Sequence, residues 1–349
     1  MGNKTLIFKA IPTGVPEAGK HLVVEDLPFD LSSAAAPEGG LLVENLYASY
    51  DPYLRGRMRD ASVKSYVPAF ELGGPVINAT VARVLKTAHP DYKEGELVKA
   101  FLPIAEYGLV DRAGMERVQK IENKTGLDLD LGIFLGPLGM PGLTAYAGLL
   151  KIGQPKAGET LFVSSAAGAV GQVAGQVAKQ LGLRVIGSVG SDAKLDFIVK
   201  ELGFDGGFNY KKESAFDALP RLAPNGIDIY FENVGGEQLD AALANMNTGG
   251  RIPVCGMISG YNLPNDQKYG VKNLFQLIAK LLTMQGFLVG QPGFGPAYSK
   301  EHQEKVQKWL ADGSFKPKLH VTEGIDNAAE GFVGMLQGEN FGKAVLKIR

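Results

Sequence analysis

The segment Val163-Ser-Ser-Ala-Ala-Gly-Ala-Val-Gly171 limits what this chain can fold into more than any other stretch. An apolar, strand-like run, Thr160-Leu-Phe-Val-Ser164, leads into it, and a run of helical periodicity leads out to about Leu181. The residues between carry almost no side chain, so the backbone there is open to close approach. In the second run Val170, Val173, Ala174, Val177, Ala178 and Leu181 share one helical stripe, with Gln172, Gln176, Lys179 and Gln180 on the other side. Arg184-Val-Ile-Gly-Ser188 follows as a second strand and completes a βαβ unit.

The same alternation continues. Strand-like runs recur at Gly207-Phe-Asn-Tyr210, Ile227-Asp-Ile-Tyr-Phe231, Arg251-Ile-Pro-Val-Cys255 and Met284-Gln-Gly-Phe-Leu-Val289, with helices expected in the gaps. Residues 326 to about 336 read as a helix, and Lys343-Ala-Val-Leu-Lys-Ile348 reads as a last strand. Residues 1 to about 130 have a different texture. Short β segments such as His21-Leu-Val-Val-Glu25, Gly40-Leu-Leu-Val-Glu-Asn-Leu-Tyr47, Ala79-Thr-Val-Ala-Arg-Val-Leu85 and Glu96-Leu-Val-Lys-Ala-Phe101 suggest a small barrel or sandwich. The uncharged run 131–150 is as long as a membrane span. It holds Pro137, Pro141 and five glycines, so a buried crossing between domains is expected instead.

A net charge of −1 favours neither nucleic acid nor an anionic membrane as partner. The single cysteine, Cys255, forbids an intrachain disulfide and fits a reducing compartment. The start, MGNKTLIFKA, lacks the apolar core of a secretion signal, and Leu6 stands where a myristoylation motif wants Ser or Thr. A cytoplasmic location is the expectation.

In the bare turn, Ala166, Gly168 and Gly171 occupy the three positions of G-x-G-x-x-G, with alanine replacing the first glycine. Gly168 would let a pyrophosphate touch the backbone, and Gly171 would let the helix pack closely on the sheet. The helix N-terminus offers unpaired N–H groups and partial positive charge to the phosphates. An NAD site wants an acidic residue at the end of the second strand. Here that region is Gly187-Ser-Val-Gly-Ser-Asp192: small residues occupy the turn, and Lys194 follows. A cation there suits the 2′-phosphate of NADP, while Asp192 is also placed to cap the next helix.

Zinc dehydrogenases hold their metal with cysteine and histidine. His21, His89, His302 and His320 are scattered and Cys255 is alone, so no metal is expected. Without a Lewis acid, an alkene conjugated to a carbonyl is a suitable hydride acceptor. Hydride adds at the β-carbon, and one or two hydroxyl donors can stabilise the enolate oxygen.

The chain resembles the zinc-independent medium-chain dehydrogenase/reductases, within them the prostaglandin reductase and alkenal double-bond reductase group. The resemblance rests on Asp51-Pro-Tyr-Leu-Arg-Gly-Arg-Met58, Gly139-Met-Pro-Gly-Leu-Thr-Ala-Tyr146, Ala166-Ala-Gly-Ala-Val-Gly171, Phe231-Glu-Asn-Val-Gly-Gly236, Cys255-Gly-Met-Ile-Ser-Gly-Tyr-Asn262, Gln285-Gly-Phe-Leu-Val289 and Gly338-Glu-Asn-Phe-Gly-Lys343. It implies an α/β fold: a GroES-like β-rich catalytic domain over 1–130, rejoined by 318–349, and a Rossmann NADP-binding domain, a doubly wound parallel sheet, over 131–317. It also implies NADPH, a cleft between two domains, and a homodimer joined through cofactor domains, with the strand around Phe287 available for that purpose.

By matching position, Gly168, Ala169, Val170 and Gly171 would hold pyrophosphate, and Lys194 and Tyr210 the 2′-phosphate. Asn233, the run Cys255, Gly256, Met257, Ile258, Ser259 and Tyr261, the run Phe287, Leu288 and Val289, and Asn340 would line the remaining cofactor surface. Tyr261 is the first catalytic candidate. A phenol, with an ordinary pKa of about 10, stays protonated at neutral pH and can donate to the ribose hydroxyl network or to the enolate oxygen. Tyr53 is the second, as a donor to a substrate carbonyl or as an aromatic wall. Arg55 and Arg57 are expected in surface salt bridges or facing an acidic substrate, and Phe287 and Met140 as an apolar wall beside the nicotinamide. The resulting expectation is NADPH-dependent reduction of the C=C bond of unsaturated ketones or aldehydes. Quinone reduction, alcohol oxidation on the same scaffold, and NADPH binding without turnover are the alternatives.

Overall fold

A computed structural model describes residues 2–349. The chain begins with β1 (Gly2–Phe8) and β2 (Leu22–Pro28), an antiparallel pair. Then come β3 (Leu41–Ser49), the single turn α1 (Leu54–Arg57), β4 (Ile77–Thr87), β5 (Leu97–Pro103), β6 (Tyr107–Val110) and β7 (Gln119–Lys120). The βαβ region holds α2 (Met140–Gly148), β8 (Thr160–Val163), α3 (Gly171–Gln180), β9 (Arg184–Val189), α4 (Asp192–Asp196) and β10 (Gly206–Asn209). It continues with α5 (Ala215–Leu222), β11 (Ile227–Phe231), α6 (Gly236–Asn245), β12 (Met246–Val254), α7 (Gln276–Ala279), β13 (Thr283–Gly286) and α8 (Gly295–Ala311). The chain ends with β14 (Leu319–Glu323), α9 (Ala328–Leu336) and β15 (Lys343–Lys347).

These elements form two compact units: the residues up to Leu135 together with Leu319–Arg349, and Gly136–Lys318. In the first, the sheet order is β14-β15-β3-β4-β5-β7, with β6 added to β3. Its core gathers Leu6, Phe8, Tyr50, Leu54, Ile104, Phe332 and Leu346. The uncharged run divides between the units. Leu131–Leu135 is a short 3-10 helix in the first, and α2 belongs to the second. Among the described residues no helix is long and apolar enough to cross a membrane.

The second unit is a six-stranded parallel sheet, ordered β10-β9-β8-β11-β12-β13. Numbered within the unit this is 3-2-1-4-5-6, the doubly wound dinucleotide-binding order. Strands this buried read as continuous apolar runs. Phe162 and Tyr230, on neighbouring strands, stack at 4.8 Å between ring centres.

The polar side of α3 is not a solvent face. Gln172 and Gln176 are buried. The Gln172 amide donates to the Lys318 carbonyl at 3.1 Å and accepts from the Lys318 amide at 2.8 Å. Gln176 makes the same pair of bonds with Lys316, and Gln180 donates to the Ser314 carbonyl. One helical turn advances about 6 Å per four residues, and extended chain about 6.6 Å per two. Glutamines four apart on the helix therefore match backbone groups two apart on the segment that follows α8.

In the first unit the last strand is fastened by a buried charge. Lys343, fully buried at the start of β15, donates to Asp51 Oδ1 at 2.9 Å and to the Tyr50 carbonyl. Burial pulls the Lys343 pKa down, and Asp51 opposes that shift. Removing one partner leaves the other charged and desolvated. Lys343→Met should therefore cost about 3–5 kcal/mol of stability, read by urea unfolding, and a loss well under 1 kcal/mol would show the pair to be dispensable.

Candidate active site

All six strands of the second unit run the same way, so their carboxyl ends share one edge of the sheet, where open α/β sheets bind ligands. The bare turn lies there, after β8. Its left-handed backbone falls on Ser165, at φ 52°, not on the alanine or glycines of the motif. A Cβ on Gly171 would run into the Ser165 carbonyl oxygen and approach the Ala166 Cα to 2.8 Å. One on Gly168 would sit 2.9 Å from Ser165 Oγ. At Gly171, and more weakly at Gly168, the turn leaves no room for a side chain, which matches a site for a pyrophosphate against backbone N–H groups.

Beyond β9, Ser191 caps α4 by accepting from the Lys194 amide at 3.3 Å. Asp192 does not cap. Its carboxylate accepts from Asn209 Nδ2 at 2.9 Å and pairs with Lys212, which holds its pKa below the usual range. Tyr210, exposed just after β10, lies against Gly190, where a Cβ would meet its hydroxyl at 3.0 Å. Lys194 has its pKa lowered by burial and then by the nearby Lys211. The ends of β9 and β10 thus bring Lys194, Lys211 and Tyr210 into one neighbourhood, with the only carboxylate of that turn already paired.

The loops that follow β11 and β12 are stitched together. Ile258 and Ser259 amides donate to the Asn233 and Val234 carbonyls at 3.2 and 3.0 Å. Asn233 is held by Ser164, donating its backbone N–H to Ser164 Oγ at 2.9 Å and its amide to the Ser164 carbonyl at 2.8 Å. Tyr261 lies over Gly256, and its hydroxyl oxygen accepts a long bond from the Met257 amide at 3.4 Å. A side chain on Gly256 would displace that phenol, since a Cβ would meet its oxygen at 2.9 Å.

Sequence reasoning passed over Glu232 as a functional group. It is fully buried at the end of β11, and its Oε1 accepts from Tyr230, from the Val234 and Gly235 amides and from Ser164. Burial raises its pKa against those donors. Cys255 follows the same logic: burial, then the nearby Glu232, pushes its thiol up to about 12. The available signal was an acid directly after the strand-like run Ile227-Asp-Ile-Tyr-Phe231.

Phe287 stacks on Phe294 at 4.8 Å and packs against Gly148, which allows no larger residue. Leu288 beside it is exposed, and the Val289 carbonyl accepts from Gly295 at 3.1 Å. Met140, partly buried, takes the Thr144 hydroxyl on its carbonyl at 2.7 Å. Asn340 belongs to the first unit, where its amide donates to the Gly342 carbonyl at 2.7 Å.

Tyr53, also in the first unit, donates to Asn78 Oδ1 at 2.7 Å. Burial, then Asp51, holds its phenol well above the ordinary value, and Arg57 acts in the opposite sense. Arg57 makes no salt bridge among the described residues. Arg55 donates to the Pro12 and Gly14 carbonyls, and Arg57 to those of Pro68 and Ile77 while lying 4.0 Å over the Phe70 ring. For Arg57 the expectation of a surface ion pair is corrected, and both guanidiniums are half-buried clamps on backbone carbonyls.

Residues 4–118 match the N-terminal domain of oxidoreductases, and residues 169–310 match the zinc-binding dehydrogenase family. The chain is 51% identical over 346 residues to NADP-dependent oxidoreductase RED1 of Cochliobolus heterostrophus, covering 99% of this chain and 97% of that one. It is 43% identical to the NADP(+)-dependent 2-alkenal reductase of Nicotiana tabacum, covering 100% and 98%. The crystal structure of CurA from Vibrio vulnificus in complex with NADPH superposes with a TM-score of 0.86 at 35% identity, covering 99% of both chains. The chain belongs to the medium-chain dehydrogenase/reductases, in the group of the alkenal double-bond reductases.

Proposed function

We propose that this protein is an NADPH-dependent reductase of the C=C bond of α,β-unsaturated ketones and aldehydes that works without a metal. The observation that carries this reading is the single sheet edge that holds the glycine turn, the Lys194–Tyr210 neighbourhood and the Tyr261 phenol. The relatives named as NADP-dependent and as a 2-alkenal reductase support it. NADPH, when bound, supplies a hydride.

The chain's own residues do the rest. The turn from Gly168 to Gly171 binds the pyrophosphate, Gly168 by its bareness since its amide donates to the Ser165 carbonyl at 2.9 Å, and Lys194 with Tyr210 binds the 2′-phosphate. Asn233 and the 255–261 loop hold the coenzyme face, with Phe287, Leu288, Val289 and Asn340 lining the remainder. Tyr261 donates toward the ribose hydroxyls and the enolate oxygen, where a fixed donor lowers the barrier. The metal-free reading rests on ligand chemistry: the chain has one cysteine, and among the described residues no three His, Cys, Asp or Glu side chains cluster as ligands. The one-cysteine composition also supports a cytoplasmic setting.

A homodimer formed through the second unit fits the same picture. β13 is an edge strand, paired only to β12. Beside it Phe275, Ile278 and Leu281 are 69%, 71% and 73% exposed. An unpaired edge flanked by large apolar side chains is a surface that associates.

Three outcomes follow from this reading. NADPH should be oxidised on addition of a simple enone, with the saturated ketone as product, and Tyr261→Phe should lower kcat about 100-fold; inactivity across enals, enones and quinones would end the proposal. Lys194→Ala should weaken NADPH binding about tenfold or more while sparing NADH, measured by calorimetry, and equal losses would remove the phosphate role. Sedimentation velocity should give a dimer for the native chain and a monomer for Ile278→Asp/Leu281→Asp, whereas a monomeric native chain rules the interface out.

A further inference from the structure

We infer that Lys212 and Asn209 set the coenzyme preference: by occupying the Asp192 carboxylate they keep an NAD-type acid from acting at the turn after β9, which leaves that turn selective for NADPH. The inference rests on the coenzyme site proposed above and adds to it the residues that make the choice.

Asp192 stands just past the second strand of the doubly wound sheet, where an NAD site carries the acid that binds a ribose 2′-hydroxyl. It is the only acid among residues 190–194. A carboxylate without partners there would accept from the 2′-hydroxyl of NADH and repel the 2′-phosphate of NADPH. In this chain both oxygens are taken. Oδ1 accepts from Asn209 Nδ2 at 2.9 Å, and Oδ2 pairs with Lys212. Both partners come from the end of β10, where Asn209 lies opposite Val189 of β9 in the parallel register.

The holding groups are themselves fixed. Asn209 is buried, and its Oδ1 accepts from the Lys211 amide at 3.1 Å. An amide nitrogen cannot accept that bond, so the side chain cannot be turned over, and Nδ2 must face Asp192. The Asn209 carbonyl accepts from the Lys212 amide at 2.9 Å and the Glu213 amide at 3.1 Å, closing the turn that brings Lys212 back to Asp192. Glu213, the next acid, is engaged by Arg221, whose Nη2 donates to both carboxylate oxygens at 2.8 and 2.7 Å. Lys211 is exposed, makes no salt bridge among the described residues, and lies close enough to Lys194 to lower its pKa. The acids of this neighbourhood are thus paired, while two cations stand near each other. A 2′-phosphate, with about two negative charges at neutral pH, complements that arrangement, and the bare hydroxyl of NADH does not.

The test is calorimetric and needs no turnover: binding of NADPH and NADH, and of the fragments 2′,5′-ADP and 5′-AMP. Released from Lys212, Asp192 stays ionised at neutral pH, since an ordinary aspartate has a pKa of about 4. Lys212→Met should therefore lower the NADPH-to-NADH affinity ratio about fivefold, the scale of charge interactions near a surface. Asp192→Asn/Lys212→Met should restore the ratio, and Asp192→Asn alone should leave it at or above the native value. Both side chains are more than half exposed, so these variants change charge and leave the core intact. Lys211→Met removes a cation that Asp192 does not engage, and Asp192→Asn should not relieve its effect. A Lys212→Met loss that persists in the double variant would make Lys212 a direct phosphate ligand and overturn the inference. An unchanged ratio in Lys212→Met would overturn it too, as would equal relief of Lys211→Met, which would reduce the effect to net charge. A native chain that binds 2′,5′-ADP no better than 5′-AMP overturns more, because it removes the 2′-phosphate site and with it the reading above.

Discussion

The second unit depends on how closely α3 and its turn approach the parallel sheet. That approach is possible because side chains are missing at the points of contact. A Cβ on Gly171 would collide with the backbone of Ser165 and Ala166, one on Gly175 with the Phe204 ring, and one on Gly187 with Ala166. Backbone cannot yield as a flexible side chain can, so the first of these collisions has no inexpensive relief. The same bareness keeps side chains away from the helix N-terminus, where anionic groups are favoured. Packing requirement and binding requirement are met by the same residues.

Two buried carboxylates show contrasting ways of living in a low-dielectric interior. Asp51 faces a buried cation and two neutral donors. Glu232 has no cation; four donors converge on Oε1, its Oε2 has no hydrogen-bond partner, and burial raises its pKa. The first arrangement fastens a returning strand to the sheet it joins. The second ties Ser164, at the end of β8, to the loop after β11, so two neighbouring strand ends on the ligand edge keep a fixed relation. Each acid is structural, and each holds still a residue given a chemical role: Tyr53 through Asn78, and Asn233 through Ser164.

Local pattern carried much of this in the sequence. The central strands were legible because strands buried on both faces are continuous apolar runs, and α3 because its apolar stripe has helical period. β1 and β14 were harder, since Gly2–Phe8 and Leu319–Glu323 mix lysine, asparagine, histidine and glutamate into short half-exposed strands. The glutamines of α3 carried no signal of their own, because their partners are backbone groups some 140 residues away. Arg55 and Arg57 were misread for the same reason. A guanidinium's charge is visible in sequence, but a carbonyl that accepts from it is not. The motif located the turn, yet its strained conformation fell on Ser165, which only the course of the backbone determines.

The two tyrosines sharpen that distinction. As residue types Tyr53 and Tyr261 are interchangeable, and both looked able to donate. Their surroundings separate them. Tyr53 gives its hydrogen to an asparagine whose orientation is dictated by a buried carboxylate and a carbonyl. Tyr261 instead receives the Met257 amide above a glycine that must stay bare. A hydroxyl has one hydrogen and two lone pairs, so the neighbour that claims the hydrogen decides what chemistry is left. Identity alone cannot assign an acid or an acceptor; the direction of each hydrogen bond can, and for Tyr53 that direction is set by Asn78, which lies outside every motif that marked the family.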